Sequence, residues 1–439
     1  MEMPPASGAT SGVATPSPPE SPVAQATVAG VPRGPDLPEQ VRVALGRLGA
    51  LRPSSASYAT ETVDILLDFA HAVGTSDMHL QPTRAGLDVK FRYDGVLQPV
   101  GVIPAGGTSS VTARLKVLAD LLTYKNEMPQ EGRIEKPRHG REIRVSTFPT
   151  LHGERAVLRF FGHDREFTTL DELGNPPQVT ARIRDALVET SGAMLISGPA
   201  GSGKSTTLYA CLRHLVTSTK GSRSIVSIED PIEVPVEGVA QSQVDLASGF
   251  DLKTGLRSLM RQDPEVIMVG EIRDRDTAEF AIQASLTGQL LLATFHSDTA
   301  ASAITRLIEM GIEPFLVRSG LITVVTQRLL RTLCGHCSRE SVDLADLCGI
   351  EVDRARVPVG CDRCHGTGYH GRTMISEFLD ARSEQIGKAI LRKADSRELY
   401  RIAIDNGMSP LFMQARSLIR DGRTSPAEVW RVLGTAVRG

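Results

Sequence analysis

Residues 198–205 constrain this chain more than any other stretch. Gly198, Pro199, Ala200, Gly201, Ser202, Gly203, Lys204 and Ser205 fit the pattern G-x-x-x-x-G-K-[ST] in full. That pattern works only between a strand and a helix. The run AMLIS (193–197) precedes it, and STTLYACLRHLV (205–216), with Thr206 in its first turn, reads as the helix. Glycines there let the backbone curl so that its N–H groups face a phosphate, and the helix aims its N-terminus at the same anion. Lys204 then reaches the outer phosphates, and the Ser205 hydroxyl ligates Mg²⁺. A glycine-rich turn without a ligand is the bland alternative.

Three more apolar runs follow: SIVSI (224–228), EVIMV (265–269) and QLLLATF (289–295), with helical stretches between them. Unalternating apolar strands separated by helices predict a parallel sheet covered on both faces. Ligands of such sheets bind at the carboxyl ends of the strands. Glu229, Asp230 and Glu233 follow the first run, Glu271 the second and His296 the third. Acids that merely cap helices account for one of these endings and poorly for all three. Glu271 directly follows its strand and is the candidate to polarise an attacking water. Glu229, Asp230 and Glu233 are candidates to hold Mg²⁺ and its waters. His296 is placed to sense a terminal phosphate, against the alternative of a structural histidine.

The rest of the chain divides by composition. Residues 1–37 are Pro, Ala, Gly, Ser and Thr with few large apolar side chains, which predicts a disordered tail. Residues 38–60 read as a linker with one short helix. Residues 61–161 alternate a helix (61–73), short strands and a second helix from Ser109, a mixed α+β domain. Asp94-Gly95 marks a hairpin within it. A polar linker spans 162–175, and 176–439 form the phosphate-loop domain. From about residue 330 onward the chain reads as helical apart from a cysteine-bearing insertion, 334–372.

The net charge of −2 gives no reason to expect a nucleic-acid partner. No apolar run approaches the ~20 residues that span a bilayer, and the first residues do not read as a secretion signal. The expectation is a cytoplasmic protein, where cysteines serve as metal ligands or core residues rather than disulfides. Cys334-Gly-His-Cys337 and Cys361-Asp-Arg-Cys364 form a CxxC…CxxC set whose four thiolates suit tetrahedral zinc. Redox-active or fortuitous pairs are the alternative. Cys211 and Cys348 read as small apolar residues.

Taken together, these blocks resemble the secretion and type IV pilus ATPases of the GspE/PilB class over residues 61–435. SIEDPIE (227–233) is similar to that family's acidic box. LRSLMRQDPEVIMVGEIRD (256–274) is similar to its Walker B segment, with Gly in place of the common Asp before Glu271. SLTGQLLLATFHSDTA (285–300) is similar to its histidine box, with Gln289 where the family usually has a second His. SDMHLQP, FRYDGVL, PQEGR, IRVST and GERAVLRF match its smaller domain, and Gly360 to Arg372 match its zinc segment better than a co-chaperone zinc repeat. The resemblance implies an α/β fold: an N-terminal α+β domain, then a RecA-like P-loop domain with a parallel sheet, a zinc-binding insertion and C-terminal helices. It implies ATP, Mg²⁺ and Zn²⁺ as ligands. It also implies a homohexamer and a motor that assembles pili or pseudopili through an inner-membrane platform partner. Arg133 and Arg144 match arginines that approach the phosphates, and Arg257 and Arg261 are further candidates. A retraction or other export motor, and a nucleotide-gated scaffold with negligible turnover, are the rival readings.

Overall fold

The computed structural model describes residues 39–134, 140, 142–161 and 167–434. The tail expected at 1–37 lies outside the described residues.

The smaller domain opens with helices α1 (Glu39–Ala50) and α2 (Tyr58–Ala72). Strands β1 (Asp77–Thr83), β2 (Gly86–Tyr93) and β3 (Val96–Pro104) follow. Helix α3 (Thr108–Leu118) leads to β4 (Gln130–Ile134), β5 (Ile143–Thr150) and β6 (Gly153–Phe160). The six strands form one antiparallel sheet in the order β3-β2-β1-β6-β5-β4. Alternation sets its faces: Met78 and Leu80 are buried with Val63 and Leu66 of α2 and Leu115 of α3, while His79 and Gln81 point the other way. Asp94 and Gly95 both take positive φ, 44° and 80°, as a tight hairpin turn demands. Two features depart from expectation. Ala44 of α1 is buried in this core, so the helix read within a linker is part of the domain. The sheet also has an edge strand, β4, within a segment whose alternation is too weak to read.

The second domain begins with α4 (Pro177–Val188), β7 (Gly192–Ser197) and α5 (Lys204–Ser218). It continues through β8 (Ile225–Glu229), β9 (Ala240–Gln243), α6 (Leu252–Leu259), β10 (Val266–Val269) and α7 (Arg275–Leu286). Next come β11 (Leu290–Phe295), α8 (Ala300–Glu309), α9 (Pro314–Gly320) and β12 (Leu321–Leu333). The cysteine-bearing insertion holds β13 (Arg339–Ser341), α10 (Leu344–Leu347) and β14 (Ala355–Val357). Strand β15 (Tyr369–Asp380) and helices α11 (Glu384–Leu391), α12 (Ser396–Asp405), α13 (Leu411–Arg420) and α14 (Pro426–Leu433) complete it.

The main sheet runs β15-β12-β7-β11-β10-β8-β9. The four strands expected from their apolar runs are parallel neighbours with wholly buried side chains. Side chains of α6, α7, α8, α11 and α12 cover one face, and those of α4 and α5 cover the other. The expectation of helices after residue 330 needs correction. Strand β12 adds to β7 in parallel, and β15 returns antiparallel along β12 over Thr323–Leu333. The insertion is therefore the elaborated connection of a long hairpin. Two polar residues hid the first strand: Gln327 and Arg328 are buried in it.

Candidate functional site

Strand β7 ends at Ser197 and α5 begins at Lys204. Between them Gly198, Gly201 and Gly203 take φ of 146°, 74° and 87°, a region that side chains rarely enter. A Cβ on Gly198 would lie 2.6 Å from both the Gln327 carbonyl oxygen and Ser202 Oγ. Ser202 Oγ is buried and has no hydrogen-bond partner among the described residues. A cradle this tight, with an orphaned hydroxyl, fits an anion. The Lys204 ammonium donates to the carbonyls of Gly198 and Pro199, both at 3.0 Å. Burial lowers its pKa; Glu271 and Glu233 oppose that shift and Arg328 adds to it. Two of the acids read from the strand ends thus act on the loop lysine.

Glu271 stands just past β10. One of its oxygens lies 2.7 Å from His296 Nε2, and the other accepts from Arg273 Nε at 2.8 Å and Nη2 at 2.7 Å. The hydrogen bond to Glu271 raises the pKa of Arg273. The Gly270 carbonyl accepts from Thr294 Oγ1 at 2.6 Å, which ties the end of β10 to β11. A Cβ on Gly270 would come within 3.3 Å of Glu229 Cα. An aspartate there would crowd β8, which explains the glycine before Glu271.

The acidic segment after β8 splits by burial. Glu229 is buried, and its carboxylate accepts from Tyr209 Oη at 2.5 Å, Ser227 Oγ at 2.6 Å and Gln241 Nε2 at 2.9 Å. This network holds its carboxylate, which bears on Glu233 through Tyr209 and by its charge, raising the Glu233 pKa. Tyr209 Oη in turn accepts from the Glu233 backbone N–H at 3.0 Å. Glu233 Oε1 accepts from Ser205 Oγ at 3.3 Å. Protein walls around Glu233 raise its carboxyl pKa, while Ser205, Arg159 and Lys204 pull it back. Asp230 is exposed and acts on Arg273. Gln289 lies elsewhere. It precedes β11, and its carbonyl accepts from the Gly192 N–H at the start of β7. At ~3.3 Å per residue it is about 23 Å from His296, at the amino edge of the sheet.

The four arginines chosen from sequence do not meet at the loop within this chain. Arg257 lies on α6 and acts on Asp251 and Asp276, and Arg261 is exposed beyond that helix. Arg133 pairs with Glu142 at 3.1 Å, and Arg144 pairs with Glu131. Strand register reveals a row that the sequence hides. Arg133 opposes Arg144, Arg144 opposes Arg159, Arg159 opposes Asp77, and Asp77 opposes Arg92. Neighbours in such a row are ~5 Å apart. Asp77 holds Arg159 at 3.0 Å and Arg92 at 3.3 Å. The Arg159 charge lowers the Glu233 pKa, so this end of the row acts on the acidic segment at long range. Arg159 and Arg92 were missed because their importance comes from register, not from a local motif.

The second cluster is chemically separate. Sγ atoms of Cys334, Cys337, Cys361 and Cys364 all lie within 4.8 Å of one another. Three pairs are 3.9, 3.8 and 3.7 Å apart. Four sulfurs ~2.3 Å from a tetrahedral ion stand ~3.8 Å apart, so the set fits zinc. Backbone N–H groups of Gly360, Cys361 and Gly368 donate to these sulfurs at 3.1–3.3 Å, which favours thiolates. Cys211 is buried on α5 and Cys348 caps α10, both outside the cluster. The cluster's flank touches the smaller domain. Asp94 accepts from the Gly371 N–H at 3.0 Å and lies 3.5 Å from Arg372 Nε, and the Tyr93 ring stacks on His365.

Residues 54–431 match the family model described as Type II/IV secretion system protein. The chain is 40% identical over 389 residues to the type IV pilus assembly ATPase TfpB of Acinetobacter baylyi, covering 86% of this chain and 66% of that one. It is 39% identical over 372 residues to the type II secretion system protein HxcR of Pseudomonas aeruginosa, covering 84% and 76%. The chain thus spans just under two thirds of the Acinetobacter relative. The crystal structure of the pilus retraction motor PilT with bound ADP superposes with a TM-score of 0.57 at 22% identity, covering 84% of this chain and 96% of that one. That likeness supports the α/β fold.

Proposed function

The chain belongs to the type II/IV secretion system protein family, and from that premise we propose that it is a hexameric motor ATPase. It hydrolyses ATP to ADP and phosphate and turns subunit opening and closing into assembly of a pilus or pseudopilus. One observation carries the reading: Glu271, paired with His296 at 2.7 Å, acts on the same Lys204 that closes the phosphate loop.

Roles follow from these positions. Loop N–H groups and Lys204 bind the outer phosphates. Ser205, with Glu233 behind it, holds Mg²⁺, which when bound neutralises charge between those phosphates. Glu271 orients the attacking water and takes its proton, while His296 and Arg273 fix the direction of its two oxygens. Asp230 adds negative potential at the rim, and Glu229 positions Glu233 through Tyr209. Arg159 and its row, Arg133 and Arg144 included, neutralise the triphosphate when the domains close. Arg257 and Arg261, exposed on the other side, are available to a neighbouring subunit.

The cysteine cluster holds structural zinc, and by resemblance it favours an assembly motor over a retraction motor. No helix among the described residues is long and apolar enough to cross a membrane. By resemblance to the family, its work at the inner membrane goes through a platform partner at the cytoplasmic face. The scaffold alternative drew on Gln289, which precedes β11 at the edge of the sheet away from His296. Phosphate release measured on wild type and Glu271→Gln decides the mechanism. The variant should bind ATP normally and hydrolyse it at least about 100-fold more slowly. Undiminished release would overturn this assignment.

A further inference from the structure

Resting on the phosphate-site reading above, we propose that Gln327 is the positioning residue that sets the shape of the phosphate loop. It belongs to no sequence motif considered above and lies more than a hundred residues downstream of the loop. Register explains how it gets there. Strand β12 pairs with β7 so that Val325 opposes Ile196 and Thr326 opposes Ser197. The next residue, Gln327, falls just past the end of β7, level with Gly198.

From that place it touches the loop at both ends. Its Nε2 donates to the Ser202 carbonyl at 2.8 Å, and its Oε1 accepts from Thr207 Oγ1 at 3.0 Å. Its backbone carbonyl would lie 2.6 Å from a Cβ on Gly198, and its Nε2 would lie 3.2 Å from one on Gly203. Gln327, Ser202 and Thr207 are all buried.

A loop that turns N–H groups inward turns carbonyls outward, and a buried carbonyl needs a donor. The Ser202 carbonyl finds that donor in Gln327. A primary amide supplies a donor and an acceptor together; a carboxylate supplies only acceptors, and a leucine supplies neither. Both ends of the Gln327 amide are engaged by protein. It acts by holding the backbone whose N–H groups would touch phosphate.

The test uses the full chain, with fluorescent ADP titrations and steady-state hydrolysis of Mg-ATP. Gln327→Leu should weaken ADP binding roughly tenfold or more and raise KM by a similar factor, with a smaller effect on kcat. Gln327→Glu should bind ADP poorly when ionised and recover as the pH is lowered, because the protonated acid regains a donor for Ser202. Its pH profile should be steeper than that of wild type. Thr326→Val is the packing control: Thr326 is buried on the same strand, and its hydroxyl has no partner among the described residues. It should bind ADP like wild type.

Wild-type affinity and KM in Gln327→Leu, or an equal loss in Thr326→Val, would overturn the proposal. Lys204→Ala separates it from the reading it rests on. If Lys204→Ala loses ADP while Gln327→Leu keeps it, only the role of Gln327 falls. If Lys204→Ala binds ADP like wild type, the phosphate-site reading falls as well.

Discussion

The phosphate loop and the cysteine-bearing insertion both depend on β12, yet they hold their shapes by opposite means. Gln327 of β12 grips the loop, and the residue after the strand's end, Cys334, opens the insertion. The loop is shaped by close packing and buried hydrogen bonds within the protein. The cysteine segment rests on less regular structure. Its sheet has two short strands, and Val342, Leu344 and Val359 are exposed. Leu347 and Ile350 pack toward α13 and α14, and the four sulfurs, with Cys334 and Cys364 buried, converge on one point. A site preorganised by its fold can lose chemistry without losing structure. A site organised by its ligand cannot.

Lys204→Ala tests the first half and should have the largest effect. Removing a desolvated ammonium aimed at a polyanion should weaken ADP binding by at least about a hundredfold. The melting temperature without nucleotide should fall only modestly, because loss of the hydrogen bonds to the Gly198 and Pro199 carbonyls is offset by removal of a buried charge. A large loss of thermal stability would mean that the loop too is shaped by its own side chain.

Cys361→Ser tests the second half, with an effect that is large but local. Bound zinc measured by elemental analysis should fall from about one ion per chain to near zero. Limited proteolysis should then cut within 334–372 while ADP affinity stays within about threefold of wild type. A chelator should reproduce the pattern. Loss of ADP binding in parallel would break the comparison, because it would show the disorder passing up β12 to Gln327.

The same contrast explains what could be read in the chain. The phosphate loop was legible because its chemistry needs fixed residue types at fixed spacing, and β7, β8, β10 and β11 because burial on both faces makes them wholly apolar. The cysteine pairs were legible for the first reason. Strands β12 and β15 were not. Gln327, Arg328 and Glu377 break their apolar runs, and each is tolerated only because a distant group satisfies it. For Arg328 that group is the Asp298 carbonyl, and for Glu377 it includes Tyr400. The arginine row was illegible for a related reason: Arg133, Arg144, Arg159 and Arg92 become neighbours only through strand register. Glu229 read as a candidate for Mg²⁺ and its waters from its place after a strand; its burial and its three hydrogen bonds, one from Tyr209, are set by distant residues and could not be read there.

The smallest effect is expected where the cysteine segment meets the smaller domain. Asp94 sits at the β2–β3 turn with φ of 44° and receives the Gly371 N–H and Arg372 from the cysteine segment. Asp94→Asn keeps a side chain that tolerates this φ and keeps an acceptor for Gly371, but it removes the charge. A double-mutant cycle with Arg372→Gln should give a coupling of no more than ~1 kcal/mol, because both side chains are partly open to water. Hydrogen exchange at residues 93–95 and 369–372 would register it. If the metal orders the surface on which Asp94 docks, the coupling should vanish in the Cys361→Ser background, while Lys204→Ala should leave it intact. A coupling that survives without the metal would show that the module's flank, unlike its sulfur cluster, is shaped by packing in the manner of the phosphate loop.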